Sequence, residues 1–294
     1  LMIRASYEKS FRVPVEVGVT QTVALIDGEY RLWENRPGVL DPEEADSYNF
    51  GMVWNPTDNL RASFDYYSID LAGPFAVETI ENVLLDNDPS KVVRDIDGNI
   101  QMVITESING PKTTTSGIDF GISYDFLTGC ECVNYSAGLE GAYVIDYEIA
   151  SYTTPGGQDV PTYQAAGNWN VRNSFAAYNL WSMPKLKYSA FGSANWGNHT
   201  ASLYARYVDG VDLSDDDLNV TTYKAMGYGD TVDSGLTYDA HYSYNFENLG
   251  LMLGLSVINL TDEKPPLAPF ELAYDPSSHN ALGRIVKANI SYKF

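Results

Sequence analysis

The chain contains no hydrophobic run long enough to cross a membrane as a helix. Such a span needs roughly 18 to 20 mostly apolar residues, and no segment of the 294 residues approaches that length. Mean hydropathy is −0.22, a value typical of soluble proteins. A membrane β-strand, however, needs only about 9 to 11 residues with every second one apolar, so its average hydropathy stays near neutral. The sequence therefore excludes a helical membrane protein and leaves a β-barrel open.

Basic residues are scarce as well. The chain has 18 Lys and Arg against 39 Asp and Glu, which gives a formal net charge of −21 at pH 7. Because a field of that sign repels phosphate groups, we expect no nucleic-acid partner. The same field favours neutral or cationic partners.

Only two cysteines are present, Cys130 and Cys132, and a single residue separates them. One intrachain disulfide can form between them, across a very tight loop, and the neighbourhood has too few ligands for a zinc site. We interpret them as a free or incidental pair rather than as a redox site.

The sequence also lacks a catalytic constellation. Its three histidines, His199, His241 and His279, are far apart along the chain, and no nucleophilic serine motif or metal-ligand spacing accompanies them. We expect no enzymatic activity and no cofactor. The acidic stretches 95–99 and 215–217 resemble calcium-binding loops in their closely spaced carboxylates. The first lacks the distal Glu of an EF-hand, so we favour solvated acidic loops.

What the sequence does contain is a period of two. Within 117–126, Ile, Phe and Tyr occupy every even position, while Gly, Asp and Ser occupy every odd one. The segment 236–246 repeats the same split. A helix would scatter these residues around its circumference, whereas a strand places them on two opposite faces. The pattern predicts an all-β protein.

Eight weaker copies of this alternation bring the predicted total to about ten strands. They are 1–11, 48–55, 60–71, 117–126, 133–149, 186–196, 200–208, 236–246, 249–259 and 284–294. Near Tyr66 and Tyr67 the alternation changes face, which indicates either a β-bulge or the point where the strand leaves a bilayer.

The connections between these strands alternate between short and long. Turn-forming residues make the short ones, and the long ones cover 12–47, 72–115, 150–185, 209–234 and 260–283. A soluble sandwich rarely needs five long loops at one end, whereas outer-membrane barrels combine short periplasmic turns with long extracellular loops. The fold class predicted from these patterns is a transmembrane, antiparallel, up-and-down β-barrel.

Several segments resemble the TonB-dependent outer-membrane receptors. They are 3–14 (IRASYEKSFRVP), 54–60 (WNPTDNL), 65–70 (DYYSID), 115–119 (TSGID), 259–266 (NLTDEKPP) and 291–294 (SYKF). Thr261 departs from the family pattern, which usually has Phe there. Each motif is short, but their order and spacing cover nearly the whole chain.

The resemblance implies that the ten strands are the last ten of a 22-stranded barrel. Residues 1–294 would then be the carboxy-terminal portion of that barrel, without the plug domain and the TonB-engaging segment, or TonB box. The first residues have no signal-peptide features and already alternate like a strand, so we expect the chain to begin within a longer protein.

The implied function is TonB-dependent active import of a scarce extracellular ligand, such as a siderophore, cobalamin or an oligosaccharide. The implied location is the outer membrane of a Gram-negative bacterium. The alternatives are a passive outer-membrane porin and a soluble carbohydrate-binding β-protein. The sequence that precedes the chain would distinguish a receptor from a porin, and the need for detergent in extraction would distinguish a barrel from a soluble protein.

Aromatic and amide side chains are concentrated in the long connection 150–185. Such groups suit a sugar or an aromatic chelate, and an arginine can meet an anionic group, while packing between loops is the alternative role. The candidates for ligand contact are Tyr163, Trp169, Asn170, Arg172, Tyr178 and Trp181.

The polar strand faces supply candidates for the lumen of the barrel. These are Asp119, Asp125, Asp239 and His241, and the resemblance implies that this wall packs against the plug. At the end of the chain, Asn289, Tyr292 and Phe294 resemble the carboxy-terminal signal read by the barrel-assembly machinery. The expected partners are therefore TonB, that machinery, outer-membrane lipid and a small-molecule or oligosaccharide ligand.

Overall fold

The structure is a computed structural model that describes most of the chain. The described residues are 1–15, 18–26, 29–127, 132–154, 156–157, 159–169, 182–213, 224–225, 227–269 and 272–293. In chain order the strands are β1 (Met2–Arg12), β2 (Thr20–Ile26), β3 (Glu29–Arg36), β4 (Glu43–Thr57), β5 (Leu60–Ala72), β6 (Phe75–Val77), β7 (Val92–Arg94), β8 (Ile100–Asn109), β9 (Thr113–Leu127), β10 (Asn134–Ile149), β11 (Tyr152–Thr153), β12 (Asp159–Val160), β13 (Tyr163–Gln164), β14 (Asn168–Trp169), β15 (Leu186–Trp196), β16 (His199–Val208), β17 (Val211–Leu213), β18 (Thr231–Val232), β19 (Gly235–Phe246), β20 (Leu251–Ile258) and β21 (Ile285–Tyr292).

The described helical structure comprises one complete α-helix, α1 (Ile80–Asp86), a 3₁₀ turn at Glu247–Leu249 and the two helical residues Lys224 and Ala225. The side chain of Thr79 caps α1 by accepting a hydrogen bond from the backbone N–H of Asn82, and Asn87 ends the helix in the left-handed conformation. No helix in the described part of the chain is long and apolar enough to cross a membrane.

Ten long strands form one antiparallel sheet in the order β1-β4-β5-β9-β10-β15-β16-β19-β20-β21. Each strand pairs with the next long strand along the chain, which is the up-and-down meander predicted from the sequence. Each of the ten strands overlaps one of the ten predicted segments, although β4 and β9 begin four or five residues earlier than predicted, and the partial barrel wall is confirmed. Short turns join them at one end of the sheet, and the long connections lie at the other.

The change of alternation near Tyr66 and Tyr67 is not a bulge. The pairing of β5 with β4 and with β9 runs through both residues without a shift in register. Ile69 and Leu71 therefore lie on the polar face of a regular strand, near its end at the long loops. A register shift does occur elsewhere, between Val144 and Asp146 of β10.

The long loops fold into small sheets of their own. Strands β2 and β3 of the first loop combine with β6, β7 and β8 of the second loop, and β3 pairs in parallel with β8. A further sheet joins β14 of the third loop to β17 and β18 of the fourth. Among the described residues, the buried hydrophobic clusters consist mainly of loop residues, because both faces of the long sheet remain largely open.

Candidate functional site

One face of the long sheet carries continuous rows of apolar side chains. Because residues opposite each other in an antiparallel pair share a face, the register aligns Phe50 with Tyr66, Tyr66 with Ile118, Ile118 with Tyr143 and Tyr143 with Leu186. Many side chains on this face are exposed; on β21, for example, Ile290 is 74% exposed. An apolar face of this extent requires an apolar environment.

Aromatic residues border this apolar face at both ends. Near the long loops, Tyr7 lies 5.0 Å from Tyr48 between ring centroids, and Tyr188 stacks on Tyr207 at 4.9 Å. The eight residue steps from Tyr188 to Trp196 on β15 span about 27 Å along the strand, or about 21 Å after a tilt of about 40°. That height is close to the apolar band of outer-membrane barrels, which is about 25 Å tall.

Charged pairs replace the apolar side chains beyond the aromatic border. On the same face of the sheet, Lys9 lies 3.0 Å from Glu44, and Lys112 lies 2.8 Å from Asp70. The hydroxyl of Tyr7 donates a 2.6 Å hydrogen bond to Asp46. This change from apolar to charged residues is the one expected where a membrane barrel passes from hydrocarbon to an aqueous or headgroup region.

The opposite face is polar, as the sequence alternation predicted. The register places Gly51, Asp65, Asp119 and Ala142 in one row across four strands. The predicted lumen residue Asp119 therefore lies beside a second carboxylate, Asp65, which forms an ion pair with Arg4. Asp125 lies opposite Ser136 on this face and is exposed.

The other two lumen candidates are held by neighbouring side chains. His241 Nδ1 lies 2.8 Å from the Ser256 hydroxyl, and its ring packs edge-to-face against Tyr204. Asp239 is only 2% exposed because it forms an ion pair with Arg206 and accepts a 2.9 Å hydrogen bond from the backbone N–H of Asn259. These contacts make Asp239 an anchor for the start of the fifth long loop.

The fifth loop returns over the polar face next to this anchor. The carboxylate of Asp275, itself 2% exposed, accepts hydrogen bonds from the hydroxyls of Ser182 and Ser277 and from the Ser277 backbone N–H. Burial alone would raise the pKa of Asp275, but these hydrogen bonds lower it below its ordinary value. Between the loop and the strands remains a cavity of about 220 Å³, which Arg206, Asp239 and His279 help to line.

The aromatic candidates of the third loop fall into two groups. Trp169 is 2% exposed and forms a hydrophobic core with Val211, Leu213, Val232 and Ala268 from the fourth and fifth loops. Its indole therefore contributes to loop packing and presents no surface to a ligand. Tyr163 packs partly buried beside Ile149, Ala165 and Met183. Asn170, Arg172, Tyr178 and Trp181 lie outside the described residues.

The acidic stretch 95–99 is closed by its own backbone and side chains. Asp95 accepts hydrogen bonds from the backbone N–H groups of Asp97 and Asn99 and from the Gln101 side chain. Those backbone hydrogen bonds outweigh desolvation and lower its pKa. Within the described ranges no group of three or more His, Cys, Asp and Glu could hold a metal ion, and 215–217 lies outside them.

The sequence also singled out the two cysteines and the last strand. Cys132 is disulfide-bonded, so it is not a free thiol, and Cys130 lies outside the described residues. Asn289 and Tyr292 lie on opposite faces of β21, one of the two edge strands of the described sheet, and Tyr292 is 57% exposed. Phe294 also lies outside the described residues.

The sequence patterns did not identify the buried ion pairs. Arg206 and Asp239 are diagonal neighbours on β16 and β19, but a long loop joins those strands and leaves their register unspecified. Lys91 contacts Glu78 at 2.7 Å and Glu106 at 3.0 Å inside the second loop. Only the fold of that loop brings these three residues together.

A comparison with protein families matches most of the chain. The family model described as "TonB dependent receptor-like, beta-barrel" covers residues 1–260. No curated protein matches the chain significantly. The match includes nine of the ten long strands; β21 lies beyond it.

Similar solved structures are described as receptors or transporters. A variant of the ferric enterobactin receptor PfeA from Pseudomonas aeruginosa superimposes with a TM-score of 0.60 at 13% identity, over 98% of this chain and 37% of that one. The siderophore receptor PirA from Acinetobacter baumannii gives 0.60 at 15% identity, over 99% and 39%. The copper transporter OprC gives 0.55 at 16% identity, over 99% and 37%.

At these identities the likeness concerns the fold alone, and the chain spans 37–39% of the length of these three proteins. The ten-stranded wall, its apolar and polar faces and the match over residues 1–260 lead to one conclusion. The chain belongs to the TonB-dependent receptor family and forms part of its β-barrel.

Proposed function

We propose that this chain is the carboxy-terminal part of an outer-membrane receptor for TonB-dependent active import of a scarce extracellular ligand. The observation that carries the proposal is the family match over residues 1–260 on a ten-stranded wall with one apolar and one polar face. The apolar face suits lipid, and the polar face suits a lumen occupied by a plug.

The proposal includes further strands outside this chain. Among the described strands, β1 pairs only with β4 and β21 only with β20. An open edge in hydrocarbon leaves backbone groups without partners, at a cost of several kcal/mol each. Closing the barrel between β1 and β21 with twelve more strands would give the 22 of the family. The plug domain and the TonB-engaging segment complete the proposed receptor.

The folded loops support a receptor rather than an open pore. Loops one and two share one sheet, and loops three, four and five share a hydrophobic core around Trp169. Such loops present a fixed surface to an extracellular ligand. PfeA, PirA and OprC are named for ferric enterobactin, a siderophore and copper, so a metal or metal chelate leads the candidate ligands, with cobalamin and oligosaccharides next.

The remaining partners follow from the proposed location. The protein would lie in the outer membrane of a Gram-negative bacterium, where β21 would carry the signal for the barrel-assembly machinery and the apolar face would contact lipid. TonB would act through residues outside this chain. The proposal assigns no reaction chemistry to the polar wall.

The test is energy-dependent uptake by the full-length protein. A strain deleted for the gene, with and without complementation, would be supplied with ferric siderophores, cobalamin and maltodextrins as probes under limitation for each. We expect uptake of one probe that is lost in the deletion strain, in a tonB mutant and after addition of a protonophore. Uptake that persists without TonB, together with steady conductance in planar bilayers, would identify a passive porin instead.

The membrane assignment has its own test. A barrel requires detergent for extraction and changes its gel mobility on heating, whereas recovery of the protein from the soluble fraction would rule the barrel out.

A further inference from the structure

A cavity of about 360 Å³ lies where three parts of the long loops meet. The helix α1 and the end of β8 come from the second loop, and β11 comes from the third. The volume is at the lower end of the range for small-molecule sites, about 300–1,000 Å³. The cavity therefore has room for a compact organic molecule.

Specific hydrogen bonds hold the walls of this cavity in place. The amide Nδ2 of Asn82 donates to the hydroxyl of Tyr152 at 2.9 Å. One oxygen of Asp86 accepts from the Thr154 hydroxyl at 2.7 Å, and the other accepts from the Gly156 backbone N–H at 3.0 Å. The approach at Gly156 needs a glycine, since a Cβ there would lie 2.2 Å from the Asp86 carboxylate. The site is therefore built before any ligand arrives.

The charges in the wall are unequally compensated. Glu78 faces the cavity, but Lys91 lies 2.8 and 2.7 Å from its two carboxylate oxygens and neutralises it. Asp86 receives two neutral hydrogen bonds, and no cation pairs with it among the residues that the structure describes. As the last residue of α1, it also lies at the negative end of the helix dipole. The wall therefore has a net negative potential.

Apolar groups supply most of the remaining surface. Val83 from α1, Ile108 from β8 and Pro111 line the cavity beside these polar groups. An apolar ring or chain can be buried against them while a polar head faces Asp86. An anionic head would meet an uncompensated carboxylate and would be repelled.

We propose that this cavity binds a small organic molecule with an apolar body and a cationic head. Its role in import rests on the proposed function. In that role, a ligand in this cavity would contact the second and third loops at once, and the cavity would select against polyanionic chelates. The binding itself is a property of the loops and can be measured without TonB.

The experiment compares three probes that share one ring. Tyramine carries an ammonium group, tyrosol is neutral and 4-hydroxyphenylacetate carries a carboxylate. Binding of each to the full-length protein in detergent would be measured by saturation-transfer NMR. We expect tyramine to bind about five- to tenfold more tightly than tyrosol, with the carboxylate weakest. Equal affinities, or tightest binding of the carboxylate, would overturn the proposal.

Variants locate the site. Asp86→Asn should weaken tyramine binding about five- to tenfold and leave tyrosol binding within twofold, since the amide keeps the wall closed. The matched control is Asp97→Asn, which removes the same charge from an exposed turn outside the cavity and should change neither. Loss of tyrosol binding in Asp86→Asn would indicate a collapsed loop, and Tyr152→Phe would then provide the test, because it alters the wall but keeps Asp86. Tyramine preference that survives in Asp86→Asn, or binding of both probes that is unchanged in Tyr152→Phe, would overturn the assignment to this cavity.

The outcome separates the two proposals. If uptake depends on TonB but the three probes bind alike, the inference fails and the proposed function stands. If tyramine binds as expected but no uptake depends on TonB, the cavity stands and the import function fails.

Discussion

Arg4 and Asp65 form a bidentate ion pair across an intervening strand. Nη2 of Arg4 on β1 lies 2.7 Å from each carboxylate oxygen of Asp65 on β5. Gly51 of β4 lies between them, and a Cβ at this position would be 2.1 Å from the Asp65 oxygen and 2.6 Å from Arg4 Nε. The glycine thus leaves the space through which the side chains of two non-adjacent strands meet on the polar face.

The first prediction concerns this glycine. Gly51→Ala should displace both side chains and break the ion pair, with a loss of about 0.5–1 kcal/mol because Arg4 is half exposed. The measurement is the temperature at which the barrel loses its folded gel mobility in detergent. Gly192→Ala is the control, since a Cβ at this strand glycine meets nothing within 4 Å. An equal shift in both variants would contradict the role of Gly51.

The ten long strands were predictable because two independent signals agree on them. In β9, apolar and polar residues alternate without exception from 117 to 126, and lipid on one side with a polar lumen on the other requires that alternation. Short turns such as 197–198 then fix the pairing of neighbouring strands. Local pattern and chain connectivity therefore determine most of the wall.

The structure within the loops was not predictable from local pattern. The parallel pairing of β3 with β8 joins residues about 70 positions apart, across two intervening wall strands. Trp33 and Thr105, for example, form a 2.9 Å hydrogen bond across this pairing, and neither residue belongs to a recognisable motif. Trp169 likewise is of a residue type that suits a ligand contact, but residues of the fourth and fifth loops bury it.

The second prediction tests the buried ion pairs of the second loop. Lys91→Met should leave Glu78, only 7% exposed, without its cation and should destabilise the loop sheet by about 2–4 kcal/mol. Burial alone would lower the pKa of Lys91, but its contacts with Glu78 and Glu106 raise it, so Lys91 stays charged at neutral pH. Hydrogen exchange of β8 amides measures the loss.

Lys112→Met is the matched control for that experiment. Lys112 also forms an ion pair, with Asp70, but both side chains are about half exposed, so its removal should change stability by less than about 1 kcal/mol. Similar protection of β8 in the two variants would show that burial of the Lys91 pair contributes nothing.

The third prediction concerns the anchor of the fifth loop. Asp239→Ala removes the partner of Arg206 and the acceptor for the Asn259 N–H, at an expected cost of about 1–3 kcal/mol. The loop should then open more often, and chymotrypsin, whose target side chains here include Leu267, Leu272 and Tyr274, should cut it faster. Asp125→Ala, an exposed carboxylate on the same face, should leave the cleavage rate unchanged. An unaltered cleavage rate in Asp239→Ala would show that Asp239 does not anchor this loop.

The fourth prediction is a pH dependence of the same loop. Burial lowers the pKa of His279 from its ordinary value of 6.5; the charge of Lys187 acts in the same direction, and Asp275 opposes it. When the loop opens, the histidine regains its ordinary pKa and binds a proton more readily than in the closed loop. The open state therefore binds more protons than the closed state as pH falls. The closed loop loses stability from about pH 6.5 down to the lowered pKa of His279, and below that pKa no further stability is lost. Above about pH 6.5 the closed loop keeps its full stability.

Hydrogen exchange of residues 272–283, corrected for intrinsic rates, measures this effect. Protection should be lower at pH 5.5 than at pH 7.5 in the parent protein, and His279→Gln should remove the difference because glutamine does not titrate. The carboxylate of Asp275 cannot account for the change, since its pKa lies below its ordinary value of 3.8 and its contribution is lost only at still lower pH. A pH difference that persists in His279→Gln would contradict the assignment of this proton to His279.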